Sequence, residues 1–129
     1  MAAADASTRS TVLVVEDQDD TACLLRFILE RAGHSVTHVA DGKTAWDLIV
    51  STSPPDLVLL DVMLPHVTGL ALLRVIRTTP EWQWIPVILV SAHTHPETMS
   101  EAIDLGATEY LKMPFSAERL LKSVNLFLS

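Results

Sequence analysis

The chain predicts an α/β fold in which a parallel β-sheet is covered by helices on both faces. Three observations carry that prediction. Five short strand-like runs, most of them apolar and rich in β-branched residues, recur along the 129 residues. Stretches with apolar residues at helical spacing follow each of them. The clearest runs, Val12-Leu13-Val14-Val15 and Leu57-Val58-Leu59-Leu60, are continuous rather than alternating. A strand that is apolar on both sides is buried on both faces, and strand–helix alternation with such strands gives a parallel sheet between helical layers. The length suits one domain. At that size about two-thirds of the unfolded surface can be buried, so no staple is needed.

The elements follow in order. Val12 to Val15 is a buried strand that ends in acids. From about Asp19 to Arg31, Leu24, Leu25, Ile28 and Leu29 stand at helical spacing, and Gly33 suits the residue just past a helix end. Val36 to Ala40 is a second strand. Asp41-Gly42 turns the chain into a helix with Ala45, Leu48 and Ile49 on one face. After Pro54-Pro55, Leu57 to Leu60 is the third strand, ending in Asp61. A loop runs through Pro65, and Thr68 or Gly69 opens a helix with Leu70, Leu73 and Ile76 inward. Pro86 to Val90 is the fourth strand, with Ser91 at its end. Pro96 fits the first turn of a helix that Gly106 closes. The fifth strand runs from Thr108 to about Met113. Ser116 caps a last helix whose apolar stripe is Leu120, Leu121, Val124 and Phe127.

Composition narrows the function classes. Hydrophobic residues are 49% and charged residues 19%, which is globular rather than disordered. Nine basic residues against sixteen acidic ones give a net charge of −7. Such a chain repels phosphate backbones, which argues against direct nucleic-acid binding. The lone Cys23 forms no intrachain disulfide and fits a reducing compartment. Residues 1–10 are Ala/Ser/Thr-rich, lack the apolar core of a signal peptide, and are expected to be a disordered tail before a domain at 11–129. No apolar run reaches the roughly 18–20 residues of a membrane span. The expectation is a soluble cytoplasmic protein.

In doubly wound sheets, chemistry collects at the carboxyl ends of the strands. Here those ends deliver Glu16 and Asp17, then Asp61, then Ser91 and Ala92, and finally the segment around Met113 and Pro114. Three carboxylates in one cleft repel each other, and desolvation adds to that cost. A hard divalent cation relieves it: Mg²⁺ takes one or two carboxylates plus waters and phosphate oxygens. A carboxylate is also a competent nucleophile toward a phosphoryl group.

Several pieces in sequence carry a resemblance: Val14-Val15-Glu16-Asp17, Asp61-Val62-Met63-Leu64-Pro65 with Thr68-Gly69, Val90-Ser91-Ala92, Gly106-Ala107, and Tyr110-Leu111 followed by Pro114-Phe115. Each alone is a weak signal; in this order, at these strand ends, they are specific. From about Ser10 to Leu128 the chain resembles the receiver domains of two-component response regulators. The resemblance implies a flavodoxin-like (βα)₅ sandwich with strand order 2-1-3-4-5. It implies that Asp61 accepts a phosphoryl group from a histidine kinase or phosphotransfer protein. Glu16, Asp17, Asp61 and the backbone carbonyl of Met63 would hold Mg²⁺ or Mn²⁺. Ser91 would hydrogen-bond the phosphoryl group, and Tyr110 would change rotamer with it. Met63 and His93 would sit at positions that tune phosphate lifetime. Output would pass through the surface of the fourth helix, fifth strand and fifth helix to a downstream protein. The domain would be a monomer or weak homodimer and a signalling phosphoacceptor rather than an enzyme. The sequence ends soon after the fifth helix, so a stand-alone receiver is expected.

One position departs from the resemblance. Receivers carry a Lys immediately before the proline of the fifth strand, where this chain has Met113 before Pro114. Lys112 lies one residue earlier, and a one-residue step along a strand turns the side chain to the other face. Lys112 should therefore point away from the site and Met113 toward it, unless a β-bulge re-aims Lys112. Whether the Met113–Pro114 bond is cis is open, since a non-Lys residue there does not forbid it.

Other readings weigh less. Asp19 and Asp20 read as acids favoured at a helix start. His34, His38, His66, His93 and His95 form no i, i+4 pair within a predicted helix, and His93 and His95, which share a loop next to the site, read as solvated rather than as transition-metal ligands. Cys23 reads as packing. Trp82 and Trp84 read as caps on the bottom of the sheet. An aspartyl phosphatase would need a second Asp two residues after the nucleophile, where Met63 stands. A dinucleotide fold would need a Gly-rich turn after the first strand. A receiver-like module that docks without phosphorylation is the alternative that the Met113 departure keeps open.

Overall fold

The computed structural model describes residues 9–92 and 95–128. The predicted tail falls largely on residues outside these, as does His93. The elements are β1 (Thr11–Val15), α1 (Asp19–Arg31), β2 (Ser35–Val39), α2 (Gly42–Ser51), β3 (Leu57–Asp61), α3 (Gly69–Thr78), β4 (Val87–Ser91), α4 (Pro96–Asp104), β5 (Glu109–Lys112) and α5 (Ala117–Leu128). The sheet is parallel throughout, in the order β2-β1-β3-β4-β5. The chain therefore reverses its direction of winding at β1, next to β3.

Strand alternation divides the interior into two cores. Leu13, Val15, Val58, Leu60, Val87 and Leu89 face α2, α3 and α4. Val12, Val14, Leu57, Leu59, Ile88 and Val90 face α1 and α5. This is the physical content of the continuous apolar runs: each residue of β3 and β4 is buried against one layer or the other. Among the described residues, no helix is long and apolar enough to cross a membrane.

Local chemistry ends the helices where the sequence indicated. The Asp41 side chain accepts from Thr44 N–H at 2.8 Å, Thr68 from Ala71 N–H at 3.1 Å, and Ser116 from Arg119 N–H at 3.0 Å. Gly33, at φ 98°, closes α1. Its N–H bonds Glu30 O and that of His34 bonds Leu29 O, both at 3.0 Å, the paired bonds of a Schellman motif.

Four readings are refined by the structure. α3 buries Gly69, Leu72, Leu73 and Ile76, while Leu70 is only half-buried. Gly69 sets this phase because it sits directly on the end of β3, and positions i, i+3, i+4 and i+7 then face inward. On α1 the inward residues are Ala22, Leu25 and Leu29, whereas Leu24 is exposed. Of the two tryptophans, only Trp82 closes the bottom of the sheet, with its Nε1–H donating to Thr52 O at 2.9 Å; Trp84 is 85% exposed. β5 is also shorter than expected, although Thr108 N–H and Met113 N–H extend its ladder to Val87 O and Ser91 O.

Candidate functional site: an acidic cleft at the carboxyl end of the sheet

The strand order places β1 and β3 side by side, with Val15 paired to Leu60. The acids that follow these strands, far apart in sequence, thus emerge together. One ligand oxygen from each of Glu16, Asp17 and Asp61 lies within 4.8 Å of the others. They open into a cleft of about 220 Å³ whose other walls include Met63, Ala92 and Met113. Gln18 and Thr21, at the start of α1, complete its rim.

Backbone hydrogen bonds orient two of the acids. Asp61 Oδ1 accepts from Met63 N–H at 2.9 Å, and Glu16 Oε2 accepts from Gln18 N–H at 3.0 Å. Glu16 is 3% exposed and Asp61 8%. Burial, with Asp61 and Asp17 nearby, raises Glu16 from 4.5 to about 8, against the opposing bond from Gln18. Burial also raises Asp61, and the charge of Asp17 adds to it, while the Met63 N–H opposes. The donor set is all oxygen and anionic, which fits a hard divalent cation.

A pH dependence follows for the metal-free protein. The unfolded chain releases the Glu16 proton above about 4.5, while the folded protein keeps it to about 8. Stability in EDTA is therefore expected to be fullest below pH 4.5 as far as this group is concerned, and to decline as pH rises through that window. Urea midpoints at pH 5, 6.5 and 8 check it. Glu16→Gln should flatten the slope; an unchanged slope would count against a proton on Glu16.

The remaining predicted residues are placed as follows. Ser91 is buried at the end of β4, behind Ala92, which forms the cleft wall. Tyr110 is half-buried against the α2–α4 core rather than in the cleft. Lys112 is exposed, and Met113 lines the cleft while packing against the α1/α5 core. The β4–β5 register runs unbroken from Ile88↔Glu109 to Ser91↔Lys112, so no bulge re-aims Lys112. The Met113–Pro114 bond is cis.

Two residues contribute to the site in ways that the sequence did not indicate. His38 Nε2 lies 2.8 Å from Glu16 O. A carbonyl only accepts, so Nε2 carries the proton and tethers β2 to the turn bearing Glu16. Gly69 sits so close to β3 that a Cβ there would lie 2.2 Å from Asp61 O. Both depend on cross-strand neighbours; the Thr-Gly at 68–69 was the only sequence trace of the second.

Comparisons with known proteins agree with this geometry. The response regulator receiver domain family matches residues 12–125. The phosphate regulon transcriptional regulatory protein PhoB of Rhizobium meliloti is 34% identical over 117 residues, covering 91% of this chain and 51% of its own. Across the curated relatives compared, the chain spans between 15% and 51% of their length. Chemotaxis protein CheY4 of Vibrio cholerae superposes with a TM-score of 0.86 at 29% identity, covering 93% of this chain and 99% of that one. The receiver domain of sensor histidine kinase PA1611 from Pseudomonas aeruginosa, with a magnesium ion coordinated in its active-site cleft, superposes with a TM-score of 0.85 at 26% identity, covering 93% and 98%. With the fold, the acidic cleft and the family match in agreement, this chain belongs to the response regulator receiver domains of two-component signalling.

Proposed function

We propose that this domain is a phosphoacceptor switch in which Asp61 takes a phosphoryl group from the phosphohistidine of a histidine kinase or phosphotransfer protein. The observation that carries the reading is the convergence of Glu16, Asp17 and Asp61 within 4.8 Å at the ends of adjacent strands. An Asp61 carboxylate oxygen attacks phosphorus, the P–N bond breaks, and its electron pair leaves on the imidazole; an aspartyl phosphate results. Glu16, Asp17, Asp61 and the Met63 carbonyl would hold Mg²⁺. When bound, Mg²⁺ keeps the acids ionised and screens the incoming phosphoryl charge. The Met63 N–H holds the Asp61 carboxylate in place. Ser91 would reach the phosphoryl oxygens once the backbone at Ala92 moves in, with Tyr110 following, and α4, β5 and α5 would present the changed surface to a downstream protein. A cytoplasmic location belongs to this reading.

Met113 alters the strength of the switch. A charge pair at about 4 Å and an effective dielectric of about 20 is worth on the order of 4 kcal/mol before desolvation. Moving a switch from mostly off to mostly on takes roughly 5.5 kcal/mol of differential binding. A thioether in place of an ammonium therefore leaves the nucleophile and cation site intact but removes much of the coupling. The same feature supports a second reading, a module that docks its partner without phosphorylation.

Intact-mass measurement with acetyl phosphate and Mg²⁺ tests both. One phosphoryl adduct is expected on the native chain and none on Asp61→Asn. The Tyr110 NMR shift on phosphorylation should be smaller in the native chain than in Met113→Lys. A native chain that takes no adduct, yet binds its partner, would leave the docking module as the function.

A further inference from the structure

The cleft carries three carboxylates, and among the described residues lining it there is no Lys or Arg. Two of its uncharged walls are thioethers: Met63, which is exposed, and Met113, half-buried against the α1/α5 core. The nearest basic residue in sequence, Lys112, is exposed and does not line the cleft. Among the described residues the ion pairs are Arg26–Glu30, Lys43–Asp47 and Arg119–Glu109, and none of them involves a cleft acid. The negative charge of the cleft thus has no counter-charge from the side chains that line it.

We infer that Met113 is an affinity-setting residue for the divalent cation: by keeping the cleft wall neutral, it lets the cation bind more tightly and fill the site before any phosphoryl group arrives. The inference rests on the cation-site reading above. Its physical basis is that a cation entering this cleft displaces no internal ammonium and meets no like charge. A lysine at position 113 would put a positive charge on the same wall as the incoming ion. Even when screened as in bulk water, repulsion between a unit and a divalent charge about 6 Å apart amounts to a loss of affinity of about tenfold, and weaker screening in the cleft makes the loss larger. Met113 has the reach to set this because it lines the same cleft as all three acids.

Isothermal titration of MgCl₂ into the metal-free full chain, at fixed pH and ionic strength, tests the inference. Native protein and Met113→Leu should bind with equal affinity, Met113→Lys at least about tenfold more weakly, and Lys112→Met like the native chain. Circular dichroism of each variant establishes that it is folded. Equal affinity in Met113→Lys and native protein overturns the inference, as does a loss in Met113→Leu as large as that in Met113→Lys, which would mean packing rather than charge. Asp61→Asn separates the two levels. If it weakens Mg²⁺ binding while Met113→Lys does not, the cation site stands and only the role of Met113 falls. If native protein binds no Mg²⁺, or Asp61→Asn binds as tightly as native, the cation site falls and the inference with it.

Discussion

Gly69→Ala is expected to lower stability by about 3 kcal/mol, the upper part of the range for forced overpacking. The added Cβ would stand 2.2 Å from Asp61 O and 2.7 Å from Val62 Cα. Both are backbone, so no side chain can swing aside. The Gly69 N–H also donates to Val62 O at 3.1 Å, which ties α3 to the end of β3. Ala is the better helix former by about 1 kcal/mol, but that gain belongs to helix interiors and is outweighed here. Relief requires α3 to lift or the Asp61 backbone to shift, so phosphoryl uptake should fall together with stability. Gly33→Ala is the contrasting variant: at φ 98° it has nothing within 4 Å. It should cost roughly 1–2 kcal/mol of backbone strain and leave phosphoryl uptake unchanged. Thermal melts and phosphorylation of both variants check this. Equal, small losses would refute the assigned clash.

Arg77→Met is expected to destabilise by about 2 kcal/mol and to loosen the turn between α4 and β5. The guanidinium donates to Gly106 O at 2.9 Å, to Gln83 O at 3.1 Å and to Ile85 O at 2.7 Å. It thereby joins α3, the segment before β4 and the segment before β5. Each such bond involves a charged donor, worth more than a neutral one. Part of the gain is offset because the half-buried guanidinium is desolvated, which also lowers its pKa. Methionine fills similar volume but leaves the carbonyls without these donors. Arg77→Lys should recover less than half, since one ammonium cannot span three carbonyls in the planar geometry of a guanidinium. Urea denaturation gives the energies, and hydrogen exchange at Gly106 to Thr108 should quicken in Arg77→Met. Full rescue by Lys would show that charge alone, rather than the fork, holds these segments.

Much of the site was legible in the sequence because its acids follow apolar runs that could only be buried strands. Glu16, Asp17 and Asp61 occupy strand ends, and the doubly wound arrangement sends strand ends to one edge. The same period-two argument set Lys112 outside the cleft and Met113 on its wall. The helix caps at Asp41, Thr68 and Ser116 were readable because each bond spans only three residues.

By itself the sequence determined the order of elements, the strand faces and the residues offered at the carboxyl edge, because each follows from near-neighbour periodicity and turn chemistry. Only the tertiary structure decided what depends on partners distant along the chain. The phase of α3, which buries Leu72 in place of Leu70, is set by contact of Gly69 with β3. Trp82 is buried beside an exposed Trp84, packed in the core and bonded to Thr52, thirty residues away. The tether from His38 to Glu16, the Arg77 clasp and the raised pKa of Glu16 likewise arise where separate strands and loops meet. Local spacing carries no record of which distant backbone a side chain will touch, and close contact and desolvation exist only once the sheet has assembled.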